Sequence, residues 1–552
     1  MSKRKFTKPG DLLPGPSPRK RRAQGTDRPF TTKTSVLNDL PEELILEVLD
    51  QVLWWEDGDA KAHYQTLHSL SLTNRKLYRL TKSYLYTIVD NVFVDSGKLL
   101  RSAIQEPELA KRIKCVHWLD DHQGSPYQWN PDNKYKLSQI ERRELCKLVD
   151  RLGIPEIQAY RIGFKEQKMR DNLTSLLLVA PDIESIEVAD TNMCCSPSGY
   201  RLRPMWLKLL CDAGMSTIPG LSTHFQHLST IRLQMGPIKL EHIGGMLRLP
   251  SLRALMLEDI FHPGEILPWR WDAEVAPRCS NLQVLYIENS YIDSLAVAQI
   301  LHAIKALKLF CLDFDNWIHS AANRFFGERP PLMHYPTLAA ALLAHKDSLE
   351  QLSLEDSSEG ELRAFFGDET GCLGSLRDMH KLKYVDMGLY PFRQNKTPHD
   401  DNAAPARLAE NLPRNIEHMD ISIEEVLNDA EEKRWRRDLE DLARTCKTMV
   451  PLLREIRVAK RLVQVVFVDD EVRKIKEKFA EQGVVLRFCG EEGYRPTVKH
   501  CTGGGRERDE DVDVDVDDAE VDDDDNDSSL SIQLMADLLG TAGGTYVHGH
   551  EV

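Results

Sequence analysis

A chain of 552 residues is longer than one compact core organises, so it predicts either several domains or a repeat array that grows by stacking. Apolar residues make up 41% and charged residues 28%, which predicts a folded, soluble middle, and no run of about 18 apolar residues occurs, which excludes a helical membrane span. The net charge of −15 is unevenly placed: residues 1–34 hold ten Lys/Arg against two Asp, and residues 507–527 hold fourteen Asp/Glu against one Arg.

The eleven cysteines follow no repeating spacing, include the adjacent pair Cys194–Cys195 and form no C-x-x-C. That pattern predicts reduced thiols in a cytosolic or nuclear protein, with no zinc and no other cofactor.

Residues 1–34 carry almost no large apolar side chains and should stay disordered, because nothing there offsets the entropy of ordering. Within them lie "KRK" (Lys3 to Lys5) and "SPRKRR" (Ser17 to Arg22). Such runs suit an importin groove or a polyanion, and equally a solubilising tail. The charged, Pro-rich start has no apolar segment of the secretory kind.

A first helix is predicted from Asn38–Asp39, with Pro41 early in it and Glu42 and Glu43 in its first turn. Leu44, Ile45, Val48, Leu49 and Val52 form a wide apolar stripe at helical spacing. A loop from Trp54 to Thr66 follows. Leu67, Leu70, Leu72 and Leu77 then mark a second helical region, continued by Tyr78, Leu80, Tyr84 and Leu85. Helices this short leave apolar surface in need of a partner.

The pattern Leu40-Pro41, Leu44, Val48-Leu49 and "LSLTNRKLYRL" (Leu70 to Leu80) resembles the F-box, in the form found in filamentous-fungal proteins. The resemblance implies that Leu40, Pro41, Leu44, Ile45, Val48, Leu49, Leu70 and Leu72 contact the Skp adaptor of a cullin–RING ubiquitin ligase. Two departures stand out. The loop after Trp54 is longer than in compact F-boxes, and Leu77-Tyr78 stands where many members have a Trp.

From residue 109 onward the spacing L-x-x-L-x-L recurs with conservative swaps. It begins at Ile113/Val116/Trp118, Ile183/Ile186/Val188, Leu228/Ile231/Leu233, Leu252/Leu255/Leu257 and Leu282/Leu285/Ile287. It continues at Leu309/Leu312/Phe314, Leu349/Leu352/Leu354, Leu382/Val385/Met387, Ile416/Met419/Ile421 and Leu453/Ile456/Val458. Helical patterns such as "DSLAVAQILHAIKAL" (Asp293 to Leu307) and "TLAAALLAH" (Thr337 to His345) separate these units. A short strand and a helix, repeated, resemble a leucine-rich-repeat solenoid, whose units bury their apolar residues only by stacking. The Asn or Cys of the family's ladder is missing, so no side-chain ladder is expected, and the largest insert lies between Asp120 and Ala180. A helical-repeat array is the competing fold. A finish of strand Arg454–Val458, strand Leu462–Val468, helix Asp470–Gly483 and strand Val484–Phe488 would shield the last unit.

The expected fold class is α/β: a small helical F-box followed by an irregular leucine-rich-repeat solenoid, a curved parallel sheet with outer helices, between disordered tails. The expected domains are a basic arm (1–34), the F-box (35–95), the solenoid (96–490) and an acidic tail (491–552) with a short amphipathic segment, Ser528 to Gly540.

Residues alternating with the core triad share the opposite face of each strand. Glu258, Tyr286, Glu288, Asp313, Asp315, Glu355, Tyr384 and Asp386 are the candidate substrate residues there. Glu187 and Asp420 join them, with Arg232 and Arg457 among the few cations. An acidic strip suits a basic protein substrate. The chain holds no P-loop, HExxH, GxSxG or strand-borne GxGxxG, so no catalytic residue is assigned. The resemblance to the F-box, taken with these features, implies a non-catalytic substrate receptor of an SCF-type ligase, nuclear or cytoplasmic, binding neither nucleic acid nor membrane. The alternative is a nuclear interaction protein that holds basic proteins such as histones through acidic surfaces.

Overall fold

The computed structural model describes residues 40–53, 60–119, 136–166, 169–190, 203–238, 240–262, 277–314, 333–356, 371–388, 390–392, 407–423, 429–460 and 470–488. All of them belong to the first of two compact units, residues 1–494; the second, residues 495–552, lies outside them. The basic arm, the acidic tail, the Ser528–Gly540 segment and the Leu462–Val468 strand also lie outside the described residues.

The described residues begin with three helices, α1 (Glu42–Leu53), α2 (Ala60–Thr73) and α3 (Arg75–Thr87). Pro41 leads into α1 and its carbonyl accepts from the Ile45 amide at 3.2 Å, while Glu42 and Glu43 complement the positive end of the helix. Only Asn74 separates α2 from α3. Its backbone is extended, and its Oδ1 accepts from the Leu77 amide at 2.9 Å, satisfying one of the donors that a helix start leaves open. Ala60–Thr66 is helical, which corrects the loop expected from Trp54 to Thr66. Ala, Lys and Gln favour a helix there, and Tyr64 and Leu67, three apart, supply its inward side.

Ile45, Leu49, Leu67, Leu77 and Leu80 form a core of their own, with Leu40, Leu46, Leu70, Tyr84 and Leu85 packed around it. Polar ties brace this small core. Lys76 Nζ donates to the Leu40 carbonyl at 2.8 Å, Tyr84 OH donates to Asp50 Oδ1 at 2.8 Å, and Arg79 pairs with Glu42.

Thr87 ends α3 and Ile88 begins β1 (Ile88–Asp90), so the sheet starts inside the 35–95 segment with no linker. Tyr64 secures the junction: its hydroxyl donates to the Ile88 carbonyl and accepts from the Asp90 amide at 3.1 Å. Among the described residues twelve strands then lie side by side in chain order: β1, β2 (Cys115–Leu119), β3 (Ser185–Ala189), β4 (Thr230–Pro237), β5 (Ala254–His262) and β6 (Val284–Glu288), followed by β8 (Leu309–Phe314), β9 (Gln351–Asp356), β10 (Tyr384–Gly388), β11 (His418–Ile423), β12 (Glu455–Lys460) and β13 (Val485–Phe488). The short β7 (Tyr291–Ile292) pairs with β5 off this path, and every pairing is parallel.

Helices occupy most of the connections: α4 (Ser96–Gln105), α5 (Gln139–Leu152), α6 (Ile157–Glu166), α7 (Met169–Val179), α8 (Met205–Met215), α9 (Ser294–Ala303), α10 (Tyr335–Leu343), α11 (Asp429–Met449) and α12 (Asp470–Glu481). The insert expected between Asp120 and Ala180 thus holds α5, α6 and α7.

One core runs through the array. Register aligns Val116, Ile186, Ile231, Leu255, Leu285, Phe310, Leu352, Val385, Met419 and Ile456 in one buried row. A second buried row, two residues on, runs from Trp118 to Val458. Both rows pack with helix residues such as Val149, Leu176, Leu209, Leu301, Leu338 and Leu439. Parallel crossover connections put helices on the sheet, and the triad residues face them.

Two expectations need correction. In the sixth unit the triad is Leu307/Phe310/Leu312, not Leu309/Leu312/Phe314, because Phe310 pairs with Leu285 and Leu352 and leaves Leu309 half-buried. Leu307, Leu309, Phe310, Leu312 and Phe314 satisfy both frames in sequence, and only pairing with the neighbours chooses between them. The absent ladder is also only partly absent. Ser290 Oγ accepts from the Ile260 amide at 3.1 Å and donates to the Glu288 carbonyl at 2.7 Å. Asn91 bonds both backbone groups of Leu119 at 2.8 Å. These side chains satisfy backbone groups where the strand-to-strand hydrogen bonding is interrupted or ends.

Candidate functional site

The helical module divides its predicted contact residues into two sets. Ile45 and Leu49 are 1% exposed and serve the module's own core. Leu40 and Leu70 are half-buried at its margin, and Pro41 is exposed. Leu44, Val48 and Leu72 are 45%, 46% and 73% exposed. The division follows from helix geometry. Ile45 and Leu49 are one turn apart on the inward stripe, and Leu44 and Val48 form a second stripe one residue earlier, about 100° round the helix. Tyr78, 52% exposed on α3, is an outward apolar residue that sequence reasoning placed in the helical stripe without assigning it to the surface. Its neighbour Leu77 takes the inward position.

The second surface is the sheet face opposite the core. Glu258 and Glu288 are register partners, Asp313 and Glu355 are register partners, and the four stand in one row on β5, β6, β8 and β9. Tyr286 and Asp386 stand two residues earlier in a parallel row that passes through Cys311 and Ser353. Tyr384 stands in a third row, paired with Gln351 and His418. Asp315 lies outside the described residues. The pairing of β5 with β6 breaks off immediately past the glutamates and resumes between β5 and β7. Asp259 and Asn289 adopt left-handed backbone with φ of 53° and 47°, a conformation short polar side chains tolerate best.

Pairing makes this face less acidic than its sequence suggests. Arg232 on β4 lies 2.8 Å from Glu258 and 3.5 Å from Glu187. Ser353 Oγ donates to Asp386 Oδ2 at 3.1 Å, and Tyr384 OH donates to Asp420 Oδ2 at 2.7 Å. Further along, Glu455 accepts from Arg457 at 2.8 Å and from Arg487 at 2.9 Å, with His418 Nδ1 at 3.6 Å. Burial pushes the Glu455 carboxyl up, but the two arginines outweigh it and hold the group below its ordinary range. Tyr286, Tyr384 and Asp386 are 4%, 5% and 9% exposed, so the middle of the face is tightly packed. Burial also pushes the Cys311 thiol well up, away from nucleophile chemistry.

Arg487, His418, Gln351, Cys311 and Ser353 are members of this face that sequence reasoning did not name. Arg487 belongs to a strand read only as a terminal shield, and His418 stands two residues before Asp420, in the row of Tyr384. Among the described residues no group of three or more His, Cys, Asp or Glu side chains could hold a metal ion, and no helix is long and apolar enough to cross a membrane. No protein-family model matches this chain, and no curated protein matches it.

Proposed function

We propose that the chain is a substrate-recognition subunit of an SCF-type cullin–RING ubiquitin ligase. In this reading α1–α3 is an F-box that docks the Skp adaptor. The array behind it is an irregular leucine-rich-repeat solenoid, one strand and one apolar triad to a unit, and its sheet face holds a protein substrate of basic character. Ubiquitin transfer is the work of the partner subunits, so the chain itself acts without catalytic residues, metal or cofactor, in the nucleus or the cytoplasm. Its contribution is proximity: holding the substrate beside the loaded ligase raises its effective concentration there.

The observation that carries the reading is the two-sided α1. The module completes a core with Ile45 and Leu49, yet keeps Leu44, Val48 and Leu72 in water, with Tyr78 on α3. Exposed apolar residues gathered on a small helical module that already has a core suit a docking face.

Co-purification of the full chain with a Skp adaptor tests this. Stoichiometric binding that is lost in Leu44→Asp or Val48→Asp is the expected outcome. Both sites are already solvated, so each substitution should shift unfolding by no more than about 0.5 kcal/mol. A folded Leu44→Asp/Val48→Asp protein that still binds the adaptor would overturn the assignment.

A further inference from the structure

His224 and His345 hold equivalent positions in two separate repeats, each four residues before the first core leucine of its unit, Leu228 and Leu349. Each ring reaches back to the helix of the preceding unit and bonds a carbonyl in its last turn. His224 Nε2 meets the Leu178 carbonyl, in α7, at 3.2 Å. His345 Nε2 meets the Leu301 carbonyl, in α9, at 3.0 Å. A carbonyl oxygen only accepts, so Nε2 carries the proton in both rings.

The other nitrogen decides what a second proton would do. His345 Nδ1 accepts from the Leu307 amide at 3.3 Å, and Leu307 is the first core residue of the β8 unit. A proton on Nδ1 would set one donor against another. His224 Nδ1 is buried and has no hydrogen-bond partner among the described residues. A proton there would be buried without an acceptor. Both outcomes are unfavourable, because a buried donor that loses water and gains no partner is destabilising.

The charges around the two rings agree with this geometry. Burial is the dominant influence on both and lowers their affinity for a proton below the ordinary 6.5. Around His345, the Leu301 carbonyl favours the charged ring, whereas Arg278 and His302 oppose it. Around His224, the Leu178 carbonyl and Asp182 favour it, and Arg151 opposes it.

We propose that His224 and His345 are acid-sensitive fasteners between successive repeats, so that mild acidification opens the array at these two junctions before it unfolds elsewhere. The neutral His345 ring bridges a helix end to a strand start, and the neutral His224 ring ties the segment before β4 to the end of α7. The charged His345 ring keeps its bond to the Leu301 carbonyl but loses the Leu307 amide, and the charged His224 ring keeps its bond to the Leu178 carbonyl but buries an Nδ1 proton that no described residue accepts. The proposal does not depend on the ligase reading.

Hydrogen exchange of the full-length chain, compared between about pH 7.5 and about pH 5.5 and corrected for intrinsic rates, tests it. Protection in peptides spanning 176–190 and 299–312 should fall by up to about tenfold per pH unit below 6.5, while peptides from β11 and β12 hold theirs. His224→Gln and His345→Gln keep a donor and an acceptor but do not titrate. Each should abolish the acid response at its own junction and leave the other intact. The pH series on the unaltered chain needs no variant, so a misfolded substitution would not remove the test. Unchanged protection at both junctions at pH 5.5, or the same acid response in a folded glutamine variant, would overturn the proposal.

Discussion

Ile45→Ala removes most of a buried side chain from a core of five residues and is expected to cost about 2–5 kcal/mol. Leu44→Ala, one position earlier, empties only solvent-exposed space and should cost little. Denaturant unfolding of the full chain, followed by hydrogen exchange in α1–α3, separates the two: the first variant should loosen the module and the second should not. In sequence the two residues belong to one stripe of leucine-like positions. Their opposite fates depend on where α2 and α3 lie, because a helix with apolar residues on more than half its circumference does not declare which part meets its neighbours.

At the scale of elements, short polar signals decide the boundaries. Asn74 both ends α2 and starts α3, and Asn74→Ala should destabilise the module by about 1 kcal/mol, read as faster exchange in the first turn of α3. The Ser138–Glu141 capping box and the left-handed Gly153 bound α5 in the same way. These signals are local, yet the apolar spacing from Leu67 to Leu85 runs straight across Asn74 and reads as one helical region, so the break was set by the cap and not by the apolar pattern. The β8 frame was not local. Its alternating apolar residues admit two registers, and Leu285 on one side and Leu352 on the other select Phe310. Nor did the residues after Trp54 show their helix by apolar content, because from Ala60 to Thr66 the only large apolar side chain is that of Tyr64.

For the whole molecule, acid should act in two steps. His224 and His345 have lowered affinity for protons in the fold, so stability is complete above 6.5 and declines as pH falls below it. Glu455 is also shifted down, by Arg457 and Arg487 against its burial, so its contribution persists to 4.5 and declines below that as the carboxylate takes up a proton. A thermal unfolding series from neutral pH downward should therefore show a first loss of Tm near the histidine range and a second below the carboxylate range. Glu455→Gln should blunt only the second.

The sequence by itself determined the α/β repeat: the triads, the helices between them and the alternation that puts Glu258, Glu288, Asp313 and Glu355 on one face follow from periods of 3.6 and 2. Those periods are properties of single elements, so they can be read along the chain. The tertiary structure decided the sheet's start at Ile88, the β8 register, the outward place of Leu44 and Val48, and the pairing of the face's carboxylates with Arg232, Arg457 and Arg487. Each of these depends on residues tens of positions apart coming within a few ångströms, and stacking, not sequence separation, sets those distances.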